Sequence, residues 1–285
     1  MEQQTEVSQK ANSNDKGTKR ILIYAILLAV LIVVGLLAIF TFSNNSATTK
    51  TEISYDNIQV PQSVLLKLNT PNSLNNQIGI GTASYSGLIP IKNTTILMLN
   101  GKPEILYLGA DYCPYCAAMR WAFVIALSRF GNFSNLHYMT SSASDYSPST
   151  PTFTFYNSTY TSNYISFVGV EQTTNQPSGN SYKPLQTPTP AEEALQSQYD
   201  GQGSIPFILF ANTSALIGAT YDPLTVLDTL NWSTVISDIY NSSTIQSQSI
   251  IGSANLITTK ICEADNNTPS NVCSQQYVKN IERLS

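Results

Sequence analysis

Leu106-Tyr107-Leu108-Gly109-Ala110-Asp111-Tyr112-Cys113-Pro114-Tyr115-Cys116 is an apolar run that ends in two cysteines three positions apart. Residues 117–130 follow it as a long apolar stretch with neither Gly nor Pro inside. The pattern predicts a strand, a tight turn carrying a dithiol, and a buried helix. Cys113 falls at the helix start, where unpaired backbone N–H groups and the helix dipole favour a thiolate. Pro114 suits the first helical position, because its missing N–H would have no partner there anyway. Cys116, three residues on, shares that face and can attack a mixed disulfide formed at Cys113. The sulfur of Cys113 is expected to face solvent and to be the more acidic, with Cys116 crowded by Ala117, Phe123 and the sheet. Arg120, about a turn further, is either an aid to the pair or a surface charge. The rivals to a redox dithiol are a structural disulfide and half of a zinc site. A four-cysteine site would have to recruit Cys262 and Cys273, which are too widely spaced for a usual zinc knuckle.

The Cys113-Pro114-Tyr115-Cys116 form resembles the thioredoxin superfamily; it is similar to the centre of glutaredoxins and close to that of periplasmic disulfide oxidases. Ser204-Ile205-Pro206-Phe207-Ile208-Leu209-Phe210, an Ile-Pro step leading into a strand, agrees with that likeness. The resemblance implies a cis Ile205–Pro206 bond lying against the cysteine pair. It also implies substrate contacts at Ile205, which pairs with substrate backbone, at Pro206 and at Tyr115. The longer run from Gly101-Lys102-Pro103-Glu104 to Ala126-Leu127-Ser128-Arg129-Phe130-Gly131 resembles more closely an archaeal membrane-anchored, thioredoxin-like family, domain of unknown function 929. That likeness covers most of the chain after the expected membrane segment. It implies an α/β fold, thioredoxin-like, with an insertion between its halves at about 141–190 and a C-terminal helical extension at about 245–285. It implies a fold and a site, and no established substrate; no metal and no cofactor are expected. One departure matters. Thioredoxins carry a buried carboxylate six residues before the first cysteine, and here Tyr107 holds that place. Asp111 lies where a surface acid is usual, so proton transfer falls to water or to Glu104 at the mouth of the strand.

Residues 1–20 are polar, carry Lys10, Lys16, Lys19 and Arg20, and read as a disordered cytoplasmic tail. Residues 21–42 are uncharged and apolar, long enough at roughly 33 Å to span a bilayer. Positive charge before the span keeps the N-terminus in the cytoplasm and places the large domain outside. A cleavable signal peptide is the rival, but no convincing small-x-small site ends the run. Residues 43–54 form a linker, and residues 55–285 form the thioredoxin-like domain. Within it, residues 61–68 suggest a short helix. Residues 96–99 and 105–108 suggest a hairpin around Asn100-Gly101, with pairing delayed past Pro103. Residues 136–140 are expected to complete a right-handed parallel β-α-β unit with the strand before Cys113. The segment 141–190 contains two alternating stretches, 152–156 and 164–170, and reads as a decorated surface or a substrate-facing lid. A helix should start at Thr189-Pro190 and run to about Tyr199. A hairpin should follow over 206–218, and then helices over about 231–240, 247–263 and 272–284.

Charged residues make up 11% of the chain, against about 25% in an average domain. The net charge of −4 offers no basic patch, so nucleic acid is not an expected partner. A surface with so few carboxylates should also tolerate acid. Eight Asn-x-Ser/Thr triplets, from Asn44 to Asn266, are candidate glycan acceptors outside the cell. Cys262 and Cys273 bracket a polar loop and read as a structural disulfide, with a second redox pair as the rival. His137, the single histidine, reads as a packed core residue in a strand. Two functions follow. The first is a membrane-anchored, extracytoplasmic thiol–disulfide oxidoreductase, an oxidase or isomerase acting on secreted or surface proteins and recycled by a membrane redox partner. The second is a non-enzymatic binding or receptor module that holds its cysteines as a fixed bridge.

Overall fold

The computed structural model describes residues 57–284. The fold is mixed α/β. Its centre is β3 (Lys102–Gly109), entered through the hairpin from β2 (Met98–Leu99). Asn100 and Gly101 both take positive φ, 53° and 75°, as the two central positions of a type I′ turn require. Pairing begins at once, Leu99 with Lys102 and Met98 with Pro103, so Pro103 does not delay it as the sequence suggested. It sits on the outermost stretch of the strand, where a missing N–H costs no ladder bond.

The dithiol turn leads into α3 (Pro114–Leu127), preceded by α1 (Gln62–Leu68) and α2 (Asn72–Ile78). Every residue of α3 except Tyr115 is buried, and each large apolar side chain so buried is worth about 1.5–3 kcal/mol. On one side of β3 lies β8 (Ser166–Glu171), parallel, with Gly109 opposite Glu171. On the other lie β11 (Phe207–Phe210), β12 (Ser214–Ile217) and β1 (Leu88–Pro90), each antiparallel to its neighbour. The alternation of strands gives the sheet two apolar faces. Ile105, Tyr107, Ile208 and Phe210 look toward α3 and toward α7 (Gly252–Ala264). Leu106, Leu108, Phe207 and Leu209 face the other way, where α4 (Pro190–Tyr199) supplies Leu195 and Tyr199. The sheet is thus covered by helices on both faces.

Two pairings correct the sequence reading. Residues 136–140 do not join the central sheet. β5 (His137–Thr140) pairs antiparallel with β6 (Pro151–Thr154) in a sheet of their own. The reason is aromatic packing on the outer side of α3. Trp121 meets Phe153 at 4.5 Å and donates its indole N–H to the Pro151 carbonyl at 2.7 Å. Trp232, on α6 (Trp232–Asp238), donates to the Thr152 carbonyl at 2.6 Å. The parallel partner of β3 is instead β8, from inside the stretch assigned to an insertion. His137 is half-buried rather than core, its Nδ1 lying 3.0 Å from the Asn135 carbonyl.

The later helices fall where the sequence placed them. Thr189 and Glu192 form a reciprocal capping box at the start of α4. Asn231 caps α6, accepting from the Thr234 N–H at 2.9 Å. The helix expected from residue 247 opens as a widened turn over Ser247–Ile251 before α7. The last helical stretch is split into Ser270–Cys273 and Gln276–Glu282. Cys262 and Cys273 are joined in a disulfide, with Cα atoms 5.6 Å apart. Among the described residues no helix is long and apolar enough to cross a membrane. The expected tail, anchor and linker, residues 1–54, lie outside the described residues.

Candidate active site

Cys113 is the N-cap of α3. Its Sγ accepts the Cys116 N–H at 3.1 Å, and Pro114 fills the first helical position. Both cysteines are free thiols. A hydrogen bond from the Cys116 thiol holds the Cys113 thiol below its usual range. The Cys116 N–H, the Arg120 charge and the Tyr115 N–H act the same way, and burial opposes them. Burial pushes Cys116 well up, and its thiol bond to Cys113 adds to the rise while Arg120 pulls it down. The expected order of acidities therefore holds.

The expected exposure does not. Cys113 is only 5% exposed and Cys116 is fully buried. The segment 141–190 folds back on the residues that flank Cys113 in the dithiol turn. Ser142 N–H donates to the Tyr112 carbonyl at 2.9 Å, and Asp111 N–H to the Thr173 carbonyl at 2.9 Å. Tyr182, on β10 (Ser181–Pro184) of the hairpin with β9 (Thr173–Ser178), stacks on Tyr112 with ring centres 4.1 Å apart. Tyr146 stacks on Tyr115 at 5.8 Å, and both of these rings are exposed at the rim. The segment is more than surface decoration, since it carries these two tyrosines to the dithiol and β8 to the sheet.

The Ile205–Pro206 bond is cis. Phe207 pairs with Leu108, so the register carries Pro206 and Ile205 to the same end of the sheet as Ala110 and Cys113. Pro206 is buried and Ile205 half-buried.

Beneath the dithiol lies a charged cluster that the sequence did not disclose. Arg120 is fully buried, not a surface charge. Its Nε donates to Glu171 Oε1 at 2.8 Å and its Nη2 to Oε2 at 2.7 Å, a bidentate pair. The same Nη2 donates to the Ala110 carbonyl at 2.6 Å and stands 3.6 Å from Asp111 Oδ1. Glu171 is the last residue of β8, fully buried. The signal missed was an acid directly closing the apolar run 164–170. Asp111 is buried too, not a surface acid. The Tyr107 hydroxyl lies against Gly109, where a Cβ would meet it at 2.5 Å, so only glycine leaves it room. Glu104 sits at the opposite end of β3, paired with Ser166. At about 3.3 Å per residue it is roughly 16 Å along the strand from the dithiol end, too far to serve it. Burial, then the Glu192 charge, raises its pKa. Cys262 and Cys273 are bonded to each other and cannot join Cys113 and Cys116 in a zinc site. Among the described residues no cluster of three or more His, Cys, Asp and Glu suits a metal.

A sheet with helices on both faces and a reduced, asymmetric C-x-x-C at the start of its buried helix defines a mixed α/β domain built around a dithiol. The chain belongs to the family described as Domain of unknown function (DUF929), whose model matches residues 89–263. No curated protein and no solved structure matches the chain.

Proposed function

We propose that this chain is a thiol–disulfide oxidoreductase of thioredoxin-like fold, anchored by residues 21–42 and working outside the cytoplasm on secreted or surface proteins. The observation that carries the proposal is the asymmetry of the dithiol: a helix-capping Cys113 with a lowered pKa above a buried Cys116 with a raised one. The parallel β3–α3–β8 connection followed by the antiparallel β11–β12 hairpin, with Pro206 at the dithiol end, supports the thioredoxin-like assignment.

In the reduced state the Cys113 thiolate attacks one sulfur of a substrate disulfide, and the other substrate sulfur leaves as a thiolate that takes up a proton. Cys116 then loses its proton and attacks Cys113, which releases the substrate as a second thiol and closes the protein disulfide. Run in reverse, the same steps oxidise two substrate thiols and return the protein to the dithiol. A membrane quinone-linked partner would then reoxidise it. Tyr115 and Ile205 sit where they can touch the incoming chain.

The near-complete burial of Cys113 favours a second reading, a binding module in which the two cysteines close as a permanent bridge. Titration of the Cys113–Cys116 pair against glutathione or dithiothreitol buffers separates the two. An oxidase or isomerase should lie between about −120 and about −200 mV. A value below about −300 mV marks a structural bridge and would remove the enzymatic proposal.

A further inference from the structure

Seven of the Asn-x-Ser/Thr triplets fall within the described residues. The fold holds three of them down. Asn132 lies in β4 (Gly131–Ser134), and the middle residue of its triplet, Phe133, is buried in the core. Asn212 donates from Nδ2 to the Thr95 carbonyl at 3.3 Å and accepts the Tyr199 hydroxyl at 2.7 Å, and Ser214 of its triplet is buried. Asn231 is fixed as the cap of α6, and Trp232 beside it is buried with its indole bonded to the Thr152 carbonyl. None of these triplets can lift into another protein's active site without breaking core packing.

The other four are open. Asn93, Asn157, Asn241 and Asn266 are exposed, and so are Thr95, Thr159, Ser243 and Thr268, the hydroxyl residues two positions on. Asn93, Asn157 and Asn266 take positive φ, 59°, 56° and 48°, a conformation that asparagine adopts in turns. Asn241 stands just past α6, where its Oδ1 accepts the Ser243 N–H at 3.1 Å. An acceptor triplet works from a surface loop, and all four are on one.

Their positions form a pattern. The dithiol lies at the Gly109 end of β3 and the Pro114 end of α3. Leu127 marks the other end, about 21 Å along the helix. Thr94, next to Asn93, donates its hydroxyl to the Asn212 carbonyl at 2.6 Å, just past β11, where Phe210 pairs with Ile105 on the side away from the cysteines. The Asn157 carbonyl accepts from Asn135 Nδ2 at 2.8 Å, and Asn135 precedes β5, which runs toward the dithiol. Asn266 follows α7, whose Thr258 accepts from Arg129 at 2.7 Å just beyond α3. Asn241 is on the flank, where Ser242 accepts from Gln77 of α2 at 2.9 Å. The hairpin that closes on the dithiol turn carries no acceptor. Its two asparagines, Asn175 and Asn180, have Pro177 and Tyr182 where Ser or Thr would be needed, and Tyr182 is the ring stacked on Tyr112.

We propose that Asn93, Asn157, Asn241 and Asn266 carry N-linked glycans that coat the flank and far end of the domain and leave the dithiol end bare; this rests on the extracytoplasmic placement above and not on the thiol chemistry. Each amide nitrogen attacks the anomeric carbon of a lipid-linked sugar diphosphate. The carbon–oxygen bond to phosphate breaks, its electron pair leaves with the lipid diphosphate, and the proton lost by nitrogen passes to a base of the transferase. The coat answers a need of this surface. With only 11% charged residues, little like-charge repulsion keeps copies apart, and bulky hydrated sugars supply that separation instead. A sugar on the Tyr182 hairpin would stand between the cysteines and a protein substrate.

The test uses the full-length chain purified from its own membrane, digested and sequenced by electron-transfer mass spectrometry. Sugar mass is expected on Asn93, Asn157, Asn241 and Asn266, and on none of Asn132, Asn212 and Asn231. Bare peptides at the four open sites, or equal occupancy at the three held ones, overturn the proposal. External protease on the same cells keeps the two readings apart. A bare domain that protease detaches loses the glycans and keeps the placement; a bare domain that is protected loses both. The variant with all four asparagines changed to glutamine should lose all the sugar mass and become about twofold or more less soluble. Its Cys113 should react with a bulky maleimide at the wild-type rate. A faster reaction would show that the sugars cover the dithiol, and the bare end would be refuted.

Discussion

Cys113 and Cys116 differ because they lie three positions apart, one capping α3 and the other within its first turn. The first lies where N–H groups point outward, the second where the sheet and helix exclude water. Below both pKa values, each unit of difference multiplies the thiolate ratio by ten. In the reduced protein, iodoacetamide should therefore modify Cys113 at least about tenfold faster than Cys116, as read by peptide mass. Cys113→Ser should reduce disulfide exchange to the rate of the buffer alone. Cys116→Ser should stall as a mixed disulfide with substrate. Preferential alkylation of Cys116, or full turnover by Cys113→Ser, would show the roles to be reversed. The placement of the two thiols was legible in the sequence because the signals are local: a strand, a Pro at the first helical position and a spacing of three. The cluster below them was not. Arg120 and Glu171 are 51 residues apart, and nothing near Arg120 in the chain reveals that its charge is neutralised.

Elements show the same division. The Asn100-Gly101 hairpin, the capped helices at Thr189 and Asn231 and the β11–β12 hairpin are each specified by neighbours in sequence, and each formed where expected, the first with its pairing closer to the turn than Pro103 suggested. Which strand lies parallel to β3 is a long-range choice. Residues 136–140 and 166–171 both read as strands, and the first pairs instead with β6, on which Trp121 and Trp232 pack. The disulfide between α7 and the short helix Ser270–Cys273 lies within one local loop, and its role can be separated from that of the dithiol. Closing a loop of 11 residues stabilises the chain by about 2–3 kcal/mol when chain entropy alone is counted. The double variant Cys262→Ser/Cys273→Ser should lose about that much in urea denaturation and leave the alkylation rate of Cys113 unchanged. A change in the Cys113–Cys116 potential in that variant would instead favour an electron relay between the two pairs.

At the scale of the whole molecule, the distribution of charge decides where the dithiol can work. Lys16, Lys19 and Arg20 precede the apolar residues 21–42, and no comparable cluster of positive charge follows directly after them. On the positive-inside rule the proposed anchor would keep the short basic tail inside and carry the domain after it across the membrane. The Cys262–Cys273 disulfide fits a compartment where such bonds persist. A dithiol in that compartment has no direct access to cytosolic reductant, and this is what favours oxidation or isomerisation as the direction of the chemistry. Protease added to intact cells or spheroplasts should therefore detach the domain beyond residue 43 from the cells and spare an epitope placed in residues 1–20. The folded domain resists proteolysis at its buried core, so the cut is expected first in the polar linker at 43–54, releasing a soluble fragment that retains all four cysteines. A domain protected until the membrane is permeabilised would place the dithiol on the reducing side. The proposed oxidase direction would then be lost even if Cys113 proved reactive.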